Sequence, residues 1–361
     1  MGRDKRKQAA GAASRTQRAG SGAGSGAGAH AQQTSTISAG PTAKSRSWRI
    51  WLLLVPILAL LGLAFWLKSS RPVPAPAGVQ GSLLGCRQLP LWLGQRAASQ
   101  GAALSTAEAR LTGLAFIDPQ AAPYQHASWS KAGNLGPIIF DRRGYVFVLP
   151  IPKINLLDNR PGEQNTLWRV DAVSEQLTRY LSLPSAHPVD VNNPYGLLGL
   201  SYDCETDLLY VSSVQGSSRH HERGAVHVIS AQEPRSISSH ALGDFMGIAL
   251  FRGRSGKRIY LARARSSEVV SYPLDAKGKI FGDARSEFSL AALGPRGDDV
   301  ARRMTASGAD RLTVYGVEFA FNLVAPTEKK ETRYEFQYDA SQDRFGLTRI
   351  GQIPVSPEGI R

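Results

Sequence analysis

GPIIFDRRGYVFVLP, residues 136–150, decides how this chain folds. Two short runs of Ile, Phe, Val and Leu flank Asp141-Arg142-Arg143-Gly144, and such runs around an Asp-to-Gly turn read as an antiparallel hairpin. The plan recurs in GLLGLSYDCETDLLYVSSV (196–214), with its turn at Asp203 to Thr206, then in GIALFRGRSGKRIYLARA (247–264) and TASGADRLTVYGVEF (305–319). Each copy is followed by a second, more polar hairpin, at 167–183, 225–242, 269–283 and 334–350. An inner and an outer hairpin make four strands, and the unit returns every ~50–60 residues, a repeat period.

A four-stranded sheet hides a face only against its neighbour, and a ring of such sheets removes the terminal edges. The expected fold is therefore all-β, a β-propeller. Four units are visible over 136–353, and the segment 83–135, with a strand-like run from Leu111 to Ile117, has room for one more, so five or six four-stranded blades are expected. A β-sandwich also has many short strands, but it does not account for the alternation of apolar and polar hairpins.

Upstream, the chain changes character. IWLLLVPILALLGLAFWL, residues 50–67, has no charged side chain. At ~1.5 Å per residue it reaches ~27 Å, the thickness of a bilayer core. Trp48 and Trp66 sit at its ends and Arg49 and Lys68 close it, the arrangement of interfacial anchors around a transmembrane helix. Nine Lys/Arg against Asp4 alone precede it, which predicts a cytoplasmic N-terminus and an exported C-terminal bulk. Residues 1–48, dominated by Ala, Gly, Ser, Thr and Gln, are expected to be a disordered basic tail. The organisation read is this tail, a transmembrane helix over 49–68, a Pro-rich linker over 69–82 and an exported propeller over 83–361. A cleaved signal peptide would have a shorter charged region. Leu83-Leu84-Gly85-Cys86 resembles a lipid-attachment box but does not abut the apolar run. The exported part keeps 34 Lys/Arg and 28 Asp/Glu, mildly basic, and nothing in it points to nucleic acid. With no Asn-x-Ser/Thr acceptor over ~280 exported residues, the expected address is a bacterial inner membrane with the bulk in the periplasm.

Cys86 and Cys204 are the only cysteines. On the exported side they are candidates for a disulfide, the alternative being two small buried apolar residues.

GPIIFDRRGYVFVL, NPYGLLGLSYDCETDLLYVSS and the aspartate-turn hairpins resemble blades of the NHL-repeat, gluconolactonase and strictosidine-synthase-like propeller superfamily. The resemblance implies the propeller. For the lactonase branch it also implies a Ca2+ or Zn2+ site in the central channel, held by an acid before the first Gly-Pro, an Asn and an inner-strand Asp. Here Gly133-Asn134-Leu135 precede Gly136 without an acid, Ser212 and Ser213 stand where the Asp is wanted, and Asn193 alone matches as a metal ligand. Asn193, before Pro194, equally suits a turn. His220-His221-Glu222 lack a third spaced ligand, and no nucleophile elbow or phosphate loop is present. The expected function is thus a membrane-anchored, non-catalytic binding or scaffold module for a protein or envelope ligand. The alternative is a divalent-metal-dependent lactonase or esterase-like hydrolase.

Overall fold

The computed structural model describes residues 80–106, 111–152, 160–184, 187–188, 190, 192–322 and 330–354. Trp48, Arg49, Trp66, Lys68 and the apolar run lie outside them, as do the expected disordered tail and most of the linker; among the described residues no helix is long and apolar enough to cross a membrane.

The chain is a β-propeller of four four-stranded blades. Blade I is β4 (Leu135–Phe140), β5 (Val146–Pro150), β6 (Thr166–Val170) and β7 (Leu177–Ser182). Blade II is β8 (Leu197–Asp203), β9 (Leu208–Ser213), β10 (Ala225–Ser230) and β11 (Ser236–His240). Blade III is β12 (Phe245–Gly253), β13 (Gly256–Arg263), β14 (Glu268–Pro273) and β15 (Arg285–Ser289), and blade IV is β16 (Val300–Ser307), β17 (Arg311–Val317), β18 (Lys330–Asp339) and β19 (Arg344–Pro354). Within each blade the pairings are antiparallel and sequential, so the inner and outer hairpins read from sequence are the blades.

Every inner strand carries a register shift at the same place, around Pro137, Gly199, Gly247 and Arg302, a bulge that bends the strand near the axis. Gly199 is required there, because a Cβ would lie 2.0 Å from the Met246 carbonyl oxygen of the next blade. Apolar layers fill the junctions: Phe147, Leu149, Tyr202 and Val211 between I and II, Tyr210, Leu250 and Ile259 between II and III, Phe251, Tyr260, Tyr334 and Phe336 between III and IV.

The expectation of five or six blades is corrected to four. Among the described residues of 91–132 there are only a short helix α1 (Leu91–Arg96), the two-stranded sheet β2 (Ala103–Ser105) and β3 (Ala115–Ile117), and a 3-10 turn (Trp129–Ala132). Trp92, Leu114, Phe116 and Trp129 bury against Val146, Val148 and Val170, so this segment covers the free face of blade I with one cluster of large side chains. At the other end of the array, the face of blade IV turned away from blade III carries Arg303, Thr305, Tyr315, Arg333 and Glu335, all at least partly exposed. A stack of sheets ends where a face becomes polar. The outer hairpin of blade III also differs from the expected 269–283: residues 275–280 fold over the junction with blade II, where Ile280 is buried and Tyr210 donates to Gly278 O at 2.6 Å, and β15 pairs only beyond them.

Residues 80–90, the last of the expected linker and the start of the domain, form a strap across the end of the ring that carries the inner-hairpin turns. Gln80 Nε2 donates to Ala309 O (3.1 Å) and the Ser82 amide to Gly308 O (2.9 Å) in blade IV. Gly81 and Ser82 form β1, paired with Arg252 and Phe251 of blade III. In blade II, the Cys204 amide donates to Leu83 O (3.1 Å) and Cys86 is disulfide-bonded to Cys204, Cα–Cα 5.7 Å. The Gln88 amide donates to Asp141 O (3.0 Å) in blade I. The strap therefore visits blades IV, III, II and I in turn. Gly81, at φ +140°, has no room for a Cβ against Gly308 O.

Candidate functional site at the mouth opposite the strap

The two ends of the ring are built from different chemistry. On the strap end, each junction is locked by charge. Arg143 of blade I pairs with its own Asp141 (2.7 Å) and reaches Asp207 (3.4 Å) and Ala231 O (2.8 Å) of blade II. Lys257 of blade III meets Asp203 of blade II at 2.7 Å, both buried, with Glu205 at 3.1 Å. Arg285 of blade III holds Asp343 of blade IV at 2.8 Å. Burial alone would lift the Asp343 carboxyl, but hydrogen bonds from Ser255, Tyr338 and Arg285 outweigh it and hold the group far below the usual carboxylate range. These ties and the strap leave this end occupied by structure.

The opposite mouth, where the inner strands begin, is apolar and half open. Val214, Met246, Ala264 and Val300, at the starts and ends of inner-hairpin strands in blades II to IV, are buried in one cluster, with Tyr195, Leu198, Phe319 and Phe321 packed on it and partly exposed. Tyr195 and Phe319 lie 5.2 Å apart, Phe319 and Phe321 5.3 Å. Burial pushes the Tyr195 phenol up, and the nearby Arg302 guanidinium pulls it the other way. Arg265 stacks on Phe321 at 4.7 Å.

Arg265 also organises the rim. Its Nε donates to Asp244 Oδ2 (2.6 Å) and its Nη2 to Ser218 O (2.7 Å) and His221 O (2.6 Å), tying the loop 214–224 of blade II to blade III. Asp244 is fully buried; its Oδ1 accepts from Ser217 Oγ, and its amide donates to Glu222 Oε1 at 2.8 Å. Burial raises the Asp244 carboxyl above the usual range, against the pull of Ser217 and Arg265. Asp299, the corresponding residue before β16, is likewise buried and accepts from Tyr334 Oη at 2.8 Å. Asp244 ties the loop 214–224, and Asp299 is held by Tyr334 on β18.

Asn193 lies on this same end, fully buried. Its Nδ2 donates to Val214 O and Ser217 O, each at 2.8 Å, and its Oδ1 accepts the Tyr195 amide at 3.0 Å. The side chain thus fixes the Asn-Pro-Tyr turn that presents Tyr195. Among the described residues no group of three or more His, Cys, Asp or Glu stands together as a set that could hold a metal ion. His220 and His221 are exposed in a turn, and Glu222 turns inward to the Asp244 amide.

Sequence reading did not single out Tyr195, Phe319, Phe321 or Arg265, because nothing in a single chain tells a half-exposed loop aromatic from a core one. A signal was present in the acid immediately before the first strand of blades III and IV, Asp244-Phe245 and Asp299-Val300.

No protein-family model matches the chain, and no curated protein matches it. Solved structures do resemble it in fold. A streptogramin B lyase structure aligns over 72% of this chain and 67% of its own, at 10% identity and a TM-score of 0.38. A functionally unknown protein from Desulfotomaculum acetoxidans aligns over 72% and 83%, at 13% identity and a TM-score of 0.39. A protein from Lactobacillus plantarum aligns over 70% and 81%, at 14% identity and a TM-score of 0.36.

Proposed function

We propose that the protein is a single-pass, membrane-anchored periplasmic β-propeller whose strap-free mouth binds a protein or envelope ligand without catalysing a reaction on it. One observation carries the reading: the two mouths are unlike, one closed by a disulfide-pinned strap and buried ion pairs, the other lined by partly exposed Tyr195, Phe319 and Phe321. Partly exposed aromatics packed on a buried apolar cluster supply contact area at small conformational cost, the composition of recognition sites. The two buried acids there, Asp244 and Asp299, are engaged by Arg265 and Tyr334.

The test has two parts. Protease added to cells with a permeabilised outer membrane should remove the domain and spare the N-terminal tail; a domain protected until the inner membrane is opened would overturn the address. A photocrosslinking residue at Phe321 should capture an adduct that is lost in the Tyr195→Ala/Phe319→Ala double variant. The same adducts from Ile237, on outer strand β11, or none from Phe321, would overturn the site.

A further inference from the structure

We infer that the strap end of the propeller is a second binding surface, one that rests on anionic lipid headgroups of the membrane to which the chain is tethered. The inference depends on the membrane-anchored reading above.

The first observation is an apolar patch. Leu89, Leu91 and Val173 are 63%, 74% and 79% exposed, the most exposed large apolar side chains among the described residues. They gather at the strap end of blade I. Leu89 lies on the strap beside the turn at Gly144, whose Cβ position is 3.5 Å from Leu89 O. Leu91 opens α1, whose next residue, Trp92, donates to Asp171 O at 3.2 Å, and Val173 is in that same outer turn, held by the Asp171 carboxylate accepting its amide at 2.9 Å. Backbone and neighbours are thus fixed, while the three side chains point into solvent. An exposed apolar group on a rigid frame marks an interaction surface.

Charge is the second observation. Around the patch and across the same end, Arg87, Arg142, Arg254, Lys277, Arg311 and Arg344 are exposed, against the exposed acids Glu205, Glu233, Asp283 and Asp339. At the opposite mouth the exposed acids Glu163, Glu222, Glu268, Asp298 and Glu318 face Arg160, Arg219, Arg223, Arg265, Arg302 and Lys330, a smaller basic excess. The basic excess is therefore larger at the strap end, and basic residues around short apolar side chains match an anionic bilayer interface.

Reach is the third. Only residues 69–79 separate Lys68 from Gln80, where the strap begins. Fully extended, that chain spans at most ~40 Å. A domain of ~280 residues has a radius of gyration of ~19 Å and hence a diameter of ~50 Å. A tether shorter than the domain it holds, and entering on the patch-bearing end, keeps that end toward the bilayer.

The test uses the full chain reconstituted into vesicles. Since Cys86 and Cys204 are bonded to each other, Leu91→Cys supplies the single thiol for an environment-sensitive fluorophore, and His220→Cys, at the opposite mouth, supplies the control. In vesicles containing phosphatidylglycerol, the label at 91 should shift to the blue and be quenched by lipids carrying a nitroxide at headgroup depth. The label at 220 should do neither, and Arg142→Glu should weaken the quenching. Failure of the chain to float with vesicles would overturn the anchored reading itself. If it floats, the inference alone is overturned by any of three results: position 91 no more quenched than 220, equal quenching in phosphatidylcholine, or a blue shift without lipid quenching, which would mean that a protein covers the patch.

Discussion

Replacing Lys257 by methionine tests whether the buried ion pair between blades II and III holds the ring. Lys257 is 4% exposed and Asp203 is fully buried, with Nζ and Oδ2 2.7 Å apart. At an effective dielectric of ~20, charges at that distance attract by ~6 kcal/mol, most of which offsets the cost of stripping water from both. Methionine fills the volume but leaves the Asp203 carboxylate with only the Glu205 amide (3.0 Å) and Thr206 Oγ1 (2.6 Å) as donors. An uncompensated buried charge costs about 3–5 kcal/mol. For a domain of this size that lowers the melting temperature by roughly 8–15 °C. The assay is thermal and urea unfolding of the single variant and of Lys257→Met/Asp203→Asn, in which the asparagine keeps its turn bonds while the charge disappears. The double variant should regain most of the loss. A single variant within ~1 kcal/mol of the parent, or a double variant less stable than the single, would refute the assignment.

Reducing the Cys86–Cys204 bond, or Cys86→Ser, should cost about 2–5 kcal/mol in chemical denaturation, since the bond closes a 118-residue span; an unchanged midpoint in reductant would count against a clamp. Burial, with a smaller contribution from His240, pulls the His227 imidazole down to about 4. The unfolded chain therefore takes up that proton first, so stability should be complete above pH ~6.5 and fall by up to roughly 3 kcal/mol as pH drops towards 4. His227→Gln should flatten this part of the pH–stability curve, and an unaltered slope would exclude His227 as its source. Gly199→Ala forces a Cβ against Met246 O and should destabilise by about 1–3 kcal/mol or more, read as a lower melt. Asn193→Ala strands Val214 O and Ser217 O and should cost about 2–3 kcal/mol, with no change in the melt of the parent on adding calcium or zinc; a metal-dependent melt would refute the reading of Asn193 as a turn lock.

The blades were legible in the chain because a hairpin is a local object: β-rich runs, an aspartate whose carboxylate closes its own turn, and a repeat interval. Asp141 accepts the Arg143 and Tyr145 amides at 2.8 and 2.9 Å, a contact spanning five residues. The all-β class, the inner-outer alternation and the two cysteines as a candidate pair all follow from such local or compositional features. The number of blades does not. Whether residues 91–132 build a blade or a cover depends on how Trp92 and Trp129 pack on blade I, and whether the array continues past blade IV depends on the polarity of a face assembled from four strands.

The strap and the sites are the part that tertiary structure alone decided. Gln80 and Ala309, or Lys257 and Asp203, are separated by 229 and 54 residues and carry no mutual signal in the sequence; they meet because the stacked blades bring successive turns to one end. The same stacking gathers Tyr195, Phe319 and Phe321 at one mouth and Leu89, Leu91 and Val173 at the other end. Local propensity fixes which residues are strand and turn, whereas the division of the surface into an aromatic mouth and a basic, apolar end arises only when the blades stack.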